Sequence, residues 1–192
     1  LDEAVAAAAF GAFFHQGQLC ISTERLIVHE DVVDDFLERL RAKAESLMIG
    51  DPARSESELG PMISEPAAAR VKALVDDALT KGARLVCGGR QQGAYLDATI
   101  LDGVTPNMRI YYEETFGPVA SIIRCCDVDE AVSIANDTEY GLAAAVFSRD
   151  VARALDLARR LETGICHVNA ATIYDEPQMP FGGVKSSGWG RF

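Results

Sequence analysis

Short runs of apolar residues alternate along this chain with longer segments whose apolar residues recur at helical spacing. Arg25 to His29 contains the uninterrupted run Leu-Ile-Val, which is typical of a short buried strand. The segment that follows, about 31–48, carries a single apolar stripe at helical spacing. Buried strands separated by amphipathic helices are typical of parallel sheets, because a helix connects parallel neighbours. The sequence therefore predicts an α/β layer fold with a mostly parallel sheet.

The same two patterns predict the other elements. Further helices are expected over 1–14, 66–81, 129–136 and 150–161, the last with Asp150 as its N-cap. Further strands are expected at 85–87, 98–101, 119–126, 143–147 and 165–169. Gly, Pro and Ser mark 51–65 and 176–192 as loops. No linker divides the chain, so we expect one domain over 1–192.

The balance of charge limits the classes of partner. The chain has 18 Lys and Arg against 29 Asp and Glu, for a net charge of −11. Nucleic acids and anionic membrane surfaces favour basic partners, so neither is expected to bind. No apolar run approaches the roughly 20 residues of a membrane span, and the first residues lack the charged and apolar pattern of a signal peptide, so none is expected. Because a helical pattern is already under way at Leu1, we expect a piece of a longer protein.

The cysteines indicate neither a disulfide framework nor a metal site. There are five, an odd number, and no two are spaced C-x-x-C. That usage fits a reducing cytoplasm, where we expect the protein to reside, and no metal is expected. Cys87, Cys126 and Cys166 lie in or at the ends of predicted strands and are expected to act as small hydrophobes, as is the adjacent Cys125.

Cys20 differs from the other four thiols in its surroundings. It follows the helix breaker Gly17 in a stretch rich in amide side chains, which predicts a loop. A thiol in a turn, close to backbone N–H groups, can have a lowered pKa and act as a nucleophile. Considered alone, a single Cys in a polar loop is incidental more often than catalytic.

Motifs around Cys20 and along the rest of the chain resemble, in order, those of the aldehyde dehydrogenase superfamily. They cover essentially all 192 residues. The matching segments are FHQGQLC (14–20), IGDP (49–52), LGPMI (59–63), 82–89, EETFGPV (113–119), AND with YGL (135–142), and PFGG with the Lys, Ser, Gly and Arg that follow (180–191). The resemblance implies a three-layer α/β domain of the aldehyde dehydrogenase catalytic type.

The resemblance also implies roles for individual residues. Cys20 matches the nucleophile, Glu114 the residue that hydrogen-bonds the nicotinamide ribose, and Phe116 the ring beside the nicotinamide. The residues that match the substrate-tunnel lining are Phe14, Leu19, Ile21, Ile173 and Phe181. The implied cofactor is NAD or NADP, with NAD favoured. Without the resemblance, Glu114 would be interpreted as a solvated acid and the two phenylalanines Phe116 and Phe181 as ordinary core.

The implied reaction oxidises an aldehyde to a carboxylic acid through a cysteine thiohemiacetal and a thioester. Cysteine suits both halves, because it is a strong nucleophile and a good leaving group. The stretch GQLCISTERLIV and the tail from Tyr174 to Phe192 look like those of vanillin, salicylaldehyde and benzaldehyde dehydrogenases. A small aromatic aldehyde is therefore the expected substrate, and the apolar tunnel residues would suit a flat ring.

Some parts of the family pattern are not in this sequence. The general-base Glu, the Asn of the oxyanion hole and the nucleotide-binding domain precede the nucleophile segment, and the terminal oligomerisation strand follows the last motif. We therefore expect 1–192 to be the catalytic domain of a longer enzyme, a homodimer or homotetramer, and to be inactive alone. The alternatives are an aliphatic aldehyde or semialdehyde dehydrogenase, a cofactor-free thiol hydrolase or acyltransferase using Cys20, and an inactive interaction domain.

Overall fold

The computed structural model describes residues 1–54 and 56–192, so Ser55, in the predicted loop 51–65, lies outside the described residues. The helices are Asp2–Phe13 (α1), Val33–Ser46 (α2), Glu65–Thr80 (α3), Val128–Asn136 (α4) and Val151–Ala158 (α5). The strands are Arg25–His29 (β1), Arg84–Cys87 (β2), Gln91–Gln92 (β3), Tyr95–Leu96 (β4), Thr99–Asp102 (β5), Val119–Cys125 (β6), Ala143–Val146 (β7) and Ile165–Val168 (β8). Every predicted helix and strand is present, with its ends shifted by a few residues at most.

The main sheet contains four strands in the order β1-β6-β5-β2. Its central strand β6 runs parallel to both β1 and β5, whereas β2 is antiparallel to β5. A second, two-stranded sheet pairs β7 with β8 in parallel, and β3 with β4 forms a short antiparallel hairpin. The predicted α/β fold with a mostly parallel sheet is confirmed.

Helices cover both faces of the main sheet. Along β6, Ile122 belongs to the apolar cluster that contains Leu40 of α2, and the next residue, Ile123, belongs to the cluster that contains Leu74 of α3. Consecutive residues of a strand point to opposite faces, so this central strand contributes to two cores at once. Burying a Leu or Ile side chain of this kind contributes about 1.5–3 kcal/mol. The arrangement of helices, sheet and helices gives three layers.

Side-chain caps begin three of the helices where the sequence places suitable residues. Asp150, the predicted N-cap of α5, accepts a hydrogen bond from the backbone N–H of Arg153 at 3.0 Å, which confirms that prediction. Ser64 caps α3 and Asp127 caps α4 in the same way. Each cap satisfies one of the N–H groups that a helix leaves unpaired at its start, and contributes about 1 kcal/mol.

Two expectations about local structure need correction. The hairpin of β3 and β4 was not predicted, because two-residue strands are too short to show an alternating pattern. Cys126 was expected to be a small hydrophobe, but it follows the end of β6 and is exposed, while its neighbour Cys125 is the buried thiol. The end of the strand explains the difference, since Cys126 lies beyond the part of β6 that is covered on both faces by the two cores.

A groove of about 1200 Å³ runs between the main sheet and the smaller sheet. One wall includes 25–29, which is β1, and the other includes 141–149, which contains β7. Within the described part of the chain, β1 pairs only with β6 and β7 only with β8, so β1 and β7 each have a free edge.

None of the helices among residues 1–54 and 56–192 combines the length and apolar composition needed to span a bilayer.

Candidate active site

The chain turns sharply between α1 and β1, in the segment that contains Cys20. After α1 ends at Phe13, three successive residues, His15, Gln16 and Gly17, adopt positive φ angles of 54°, 57° and 66°. Residues other than glycine rarely adopt this conformation, which costs on the order of 1 kcal/mol or more each. Surrounding contacts must therefore hold the segment 14–23, here called the nucleophile loop, in this shape.

Several hydrogen bonds hold the nucleophile loop. The backbone N–H of Ser22 donates to the carbonyl of Leu19 at 3.0 Å and closes a turn around Cys20. The Gln18 side chain accepts from the N–H of Ile63 at 2.9 Å. The hydroxyl of Thr172 donates to the carbonyl of Ile21 at 2.6 Å. These contacts come from two other parts of the chain, so the turn that presents Cys20 is fixed by the tertiary fold.

Cys20 and Glu114 lie at the same groove. Both side chains are exposed, and both line the cavity between the two sheets. The Glu114 carboxylate makes no hydrogen bond or ion pair with the residues that the structure describes. An open thiol and an open carboxylate therefore face one cavity, as the motif assignment expects of a nucleophile and a cofactor-binding acid.

The segment 113–118, here called the Glu114 loop, is held from two sides. The two carboxylate oxygens of Glu24 accept hydrogen bonds from the backbone N–H groups of Thr115 and Phe116, each at 2.8 Å. On the other side, the guanidinium of Arg70 in α3 donates to the carbonyl of Glu114 at 3.0 Å and to that of Thr115. Phe116 has a φ of 48°, a further left-handed residue that depends on this support.

The nucleophile loop and the Glu114 loop also touch directly, at a pair of glycines. A Cβ built on Gly17 would lie 2.2 Å from the carbonyl oxygen of Gly117, closer than real Cβ atoms come. Gly17 also has a φ of +66°. Both observations require glycine here, because only glycine allows this close approach and this conformation without strain. The two loops are thus packed backbone against backbone.

The five residues expected to line the substrate tunnel lie elsewhere. None of them lines the groove that Cys20 and Glu114 share, and neither does Phe116. Phe14 is half exposed, whereas the others are partly buried; these are Leu19, Ile21, Ile173 and Phe181. Phe181 exchanges two backbone hydrogen bonds with Phe192, which joins the tail back onto itself. The structure therefore brings together Cys20 and Glu114 but not the whole predicted set.

Phe14 belongs to an exposed cluster of three aromatic rings. Its ring centroid lies 5.0 Å from that of Phe10, and Phe10 lies 5.8 Å from Tyr174. These spacings are those of ordinary aromatic pairs. The site prediction did not include Phe10 or Tyr174, although Phe10 stands four residues before Phe14 on the predicted helix, a spacing that places the two side chains on one face.

The other thiols are poorly suited to act as nucleophiles. Burial raises the pKa of Cys87 to about 11 and also raises the pKa values of Cys125 and Cys166. A hydrogen bond to Glu130, with burial and the charge of Asp127, raises the pKa of the exposed Cys126 to about 11. The thiolate is the reactive form, so each shift lowers reactivity. Among the described residues, no group of three or more His, Cys, Asp and Glu could hold a metal ion.

Comparison with known proteins settles the family. The model of the aldehyde dehydrogenase family matches residues 1–192. The chain belongs to the aldehyde dehydrogenase family. The resemblance on which the sequence prediction rested is confirmed, and so is the fold type.

Aromatic aldehyde dehydrogenases are prominent among the relatives of this family member. A vanillin dehydrogenase of Pseudomonas fluorescens is 58% identical over 192 residues, which are 100% of this chain and 40% of that protein. A salicylaldehyde dehydrogenase of Pseudomonas putida is 50% identical over 193 residues, again 100% of this chain and 40% of the relative. This aldehyde dehydrogenase chain thus spans about two fifths of the length of the curated relatives it matches.

Solved structures of the family have the same fold. The crystal structure of a salicylaldehyde dehydrogenase from Pseudomonas putida G7, complexed with salicylaldehyde, superimposes with a TM-score of 0.95 at 49% identity. The superposition covers 99% of this chain and 40% of the salicylaldehyde dehydrogenase chain. An NADP-dependent glyceraldehyde-3-phosphate dehydrogenase from Bacillus halodurans C-125, complexed with NADP, has a TM-score of 0.96 at 40% identity, over 99% of this chain and 40% of that one.

Glu24 is a residue of the site that the sequence prediction missed. It lies four residues after Cys20 and directly before β1, and its partners Thr115 and Phe116 are about 90 positions away. Nothing in the sequence pairs these positions. The one available signal was an acidic residue at the start of a buried apolar strand, a place where an unpaired charge is costly.

Proposed function

We propose that this chain is the nucleophile-bearing part of an NAD(P)-dependent aldehyde dehydrogenase that oxidises a small aromatic aldehyde to the carboxylic acid. The observation that carries the proposal is the shared groove of Cys20 and Glu114, with the nucleophile loop and the Glu114 loop packed against each other. A reactive thiol and an acceptor for hydroxyl groups then face one bound assembly of substrate and cofactor.

Cys20 forms and breaks the covalent bond to the substrate. Its thiolate adds to the aldehyde carbon, a C–S bond forms, and the carbonyl π electrons move to oxygen to give a thiohemiacetal alkoxide. After oxidation the carbon is held as a thioester. Water then adds, the C–S bond breaks, and the acid is released with the thiol restored. The turn that fixes Cys20 keeps its backbone N–H available as a donor to the developing oxyanion.

Glu114 and Phe116 are the residues that would hold the nicotinamide end of the cofactor. The Glu114 carboxylate is exposed in the groove and has no partner among the described residues, so it can accept hydrogen bonds from ribose hydroxyls. A nicotinamide cofactor held there would supply the hydride acceptor that oxidation of the aldehyde carbon requires. Both NAD and NADP occur among the relatives: a benzaldehyde dehydrogenase of Pseudomonas putida is named for NAD and a succinate-semialdehyde dehydrogenase of Deinococcus radiodurans for NADP. We favour NAD.

An aromatic substrate is supported by two observations. The vanillin, salicylaldehyde and benzaldehyde dehydrogenases among the relatives are 44–58% identical to this chain. The rings of Phe10, Phe14 and Tyr174 form an exposed aromatic surface close in sequence to the nucleophile and to Ile173. Exposed aromatic rings favour stacking with a flat ligand. We keep Phe14, Leu19, Ile21, Ile173 and Phe181 as the proposed substrate contacts.

We further propose that residues 1–192 form a single catalytic domain and that a nucleotide-binding domain is supplied by other sequence. The chain spans 40% of its relatives, which leaves room for such a domain. The groove between the sheets, which Cys20 lines, is a surface that such a domain would cover.

The test is an activity assay on the full-length protein that contains this chain. Purified protein is mixed with NAD, then NADP, and with benzaldehyde, vanillin, hexanal or succinate semialdehyde, while the absorbance of the reduced cofactor is followed. We expect kcat/KM for the aromatic aldehydes to exceed that for the aliphatic ones by about 10-fold or more, the range that pocket contacts supply.

The outcome also separates the alternatives. Preference for hexanal or succinate semialdehyde would contradict the aromatic assignment but keep the reaction. Hydrolysis of an activated ester without any cofactor reduction, whichever aldehyde is present, would instead identify a thiol hydrolase. No reaction with either kind of substrate would contradict the enzyme proposal itself.

A further inference from the structure

One partly buried carboxylate, that of Glu24, joins the nucleophile loop to the Glu114 loop. Glu24 follows Cys20 by four residues, and its own carbonyl accepts a hydrogen bond from the N–H of Ser121 in β6 at 2.8 Å. Its backbone is therefore tied to the main sheet. Its side chain reaches the other way and accepts the N–H groups of Thr115 and Phe116, one on each oxygen.

The carboxylate of Glu24 has no cation beside it. Glu24 forms no ion pair with the residues that the structure describes. The adjacent Arg25 is occupied elsewhere: its guanidinium donates to the carbonyl of Ile134 at 2.7 Å and lies 4.6 Å from the ring centroid of Tyr111. Burial raises the pKa of Glu24, and its two backbone hydrogen bonds oppose that shift without cancelling it. A partly buried carboxylate without a cation partner is costly, so its presence needs a reason beyond filling space.

The geometry supplies that reason, because the two N–H groups belong to the loop that carries Glu114 and Phe116. We propose that Glu24 is a positioning residue: it fixes the Glu114 loop relative to Cys20 and so sets the distance between the bound cofactor and the nucleophile. This inference rests on the proposed function. A carboxylate suits the task, since two adjacent N–H donors need two acceptor atoms and an amide side chain offers only one.

The test uses Glu24→Gln in the full-length enzyme. Gln keeps the size of the side chain but turns one acceptor into a donor that faces an N–H group, so the Glu114 loop loses one of its two anchors. We expect the rate constant of the hydride-transfer burst to fall by about 10- to 100-fold, because misplacing a reacting group by about 1 Å can cost 10²-fold. The dissociation constant of NAD should rise at least threefold.

A second readout separates positioning from a general loss of structure. Hydrolysis of an activated ester by Cys20 needs no cofactor, so it should stay within twofold of the wild-type rate in Glu24→Gln. Glu24→Asp, which keeps two acceptor oxygens on a shorter side chain, should recover part of the burst rate. Glu38→Gln is the matched control, since it removes an exposed carboxylate of α2 that does not line the groove, and its burst rate should be unchanged.

Arg70→Gln provides an independent variant should Glu24→Gln fail to fold. Arg70 is exposed and holds the opposite side of the Glu114 loop. Its loss should also slow the hydride-transfer burst and leave ester hydrolysis at the wild-type rate, but the burst should slow less than in Glu24→Gln.

A burst rate within twofold of wild type in Glu24→Gln, or an equal fall in burst and ester hydrolysis, overturns the positioning role. If Glu24→Gln does not fold, the same result in Arg70→Gln overturns it. Failure of the proposed function would be seen differently, as the absence of aldehyde oxidation in the wild-type enzyme.

Discussion

At the scale of single residues, exposure does not by itself mark a thiol as reactive. Cys20 and Cys126 are both exposed, yet Cys126 lies beside Glu130 and Asp127, whose charges disfavour its thiolate. Cys20 instead lies at the groove, in a turn held by the fold. The local surroundings of the two thiols therefore assign them different chemistry.

We predict that Cys20→Ala in the full-length enzyme lowers aldehyde oxidation to less than a few per cent of wild type. Of the other described thiols only Cys125 lines the groove, and it is buried with a raised pKa, so covalent catalysis should be lost. The dissociation constant of NAD should stay within about twofold, because Cys20 is not proposed as a cofactor contact. Steady-state assays would measure the rate of aldehyde oxidation, and calorimetry would measure the dissociation constant of NAD. Cys126→Ser is the control and should retain full activity; substantial turnover in Cys20→Ala would contradict the assigned nucleophile.

We predict that iodoacetamide at pH 8 modifies Cys20 at least about 10-fold faster than Cys126. A pKa near 11 leaves only about 0.1% of Cys126 as thiolate at pH 8, and this fraction increases as the pH rises towards 11. Mass spectrometry of digested protein would follow both sites. Glu130→Gln removes the main cause of the shift and should speed modification of Cys126. Equal rates at pH 8 in the wild-type chain would be inconsistent with the shifted pKa.

Sequence could identify the residues that belong to continuous motifs but not those that act across the fold. Cys20 and Glu114 stand in such motifs, and the structure brings them to one groove. Glu24 accepts hydrogen bonds from backbone N–H groups about 90 positions away. Almost every residue type supplies a backbone N–H, so the residues at those positions give no sign of the contact. Tyr174 joins Phe10 for the same reason: only the folded chain places them together.

At the scale of elements, the two loops depend on each other more than on their own sequences. The nucleophile loop has three successive positive φ angles and the Glu114 loop has one, at Phe116. Strained backbone of this kind persists when surrounding contacts fix it, and it often occurs at functional sites. Here the contacts are the Gly17–Gly117 approach and the carboxylate of Glu24.

We predict that Gly17→Ala lowers the free energy of unfolding by about 2 kcal/mol or more, because the new methyl group meets the Gly117 carbonyl in addition to the strain of a positive φ. Gly82→Ala is the matched control: Gly82 also has a positive φ, of +104°, but a Cβ there has nothing within 4 Å. It should cost about 1 kcal/mol. Urea denaturation would give the free energy of unfolding of both variants. Equal losses in the two would show that the contact with the Gly117 carbonyl adds nothing to the cost at Gly17.

The longer strands and the helices were predictable because each contains enough residues to show its repeating pattern of apolar positions. The helix α3 has five buried positions on one stripe and Pro66 in its first turn, so both its face and its start could be predicted. The hairpin of β3 and β4 has two residues in each strand, which is too short for any period. Loop shapes such as 15–17 could not be predicted, because Gln rarely adopts a positive φ and even His does so in only a small minority of cases.

At the scale of the whole molecule, two apolar clusters on opposite faces of one sheet give the chain a core of its own. We therefore predict that residues 1–192, prepared alone, fold cooperatively but do not oxidise aldehydes. Glu114 and Phe116 would hold only one end of the cofactor, so NAD should bind with a millimolar or weaker dissociation constant, about −4 kcal/mol or less favourable. Circular dichroism, calorimetry and the aldehyde assay would test this; micromolar NAD binding or turnover would contradict it.

The free edges of β1 and β7 give the isolated chain a further property. Each edge presents backbone N–H and C=O groups that no other described strand pairs with, which is a template on which a strand of another molecule can add. The net charge of −11 opposes such contact, and salt screens that repulsion. Sedimentation velocity of residues 1–192 should therefore show association that grows with protein concentration and with sodium chloride. A strictly monomeric chain at high salt would mean that the edges are protected. Where the groove is filled, the same rows of donors and acceptors would serve to join two halves of one continuous sheet.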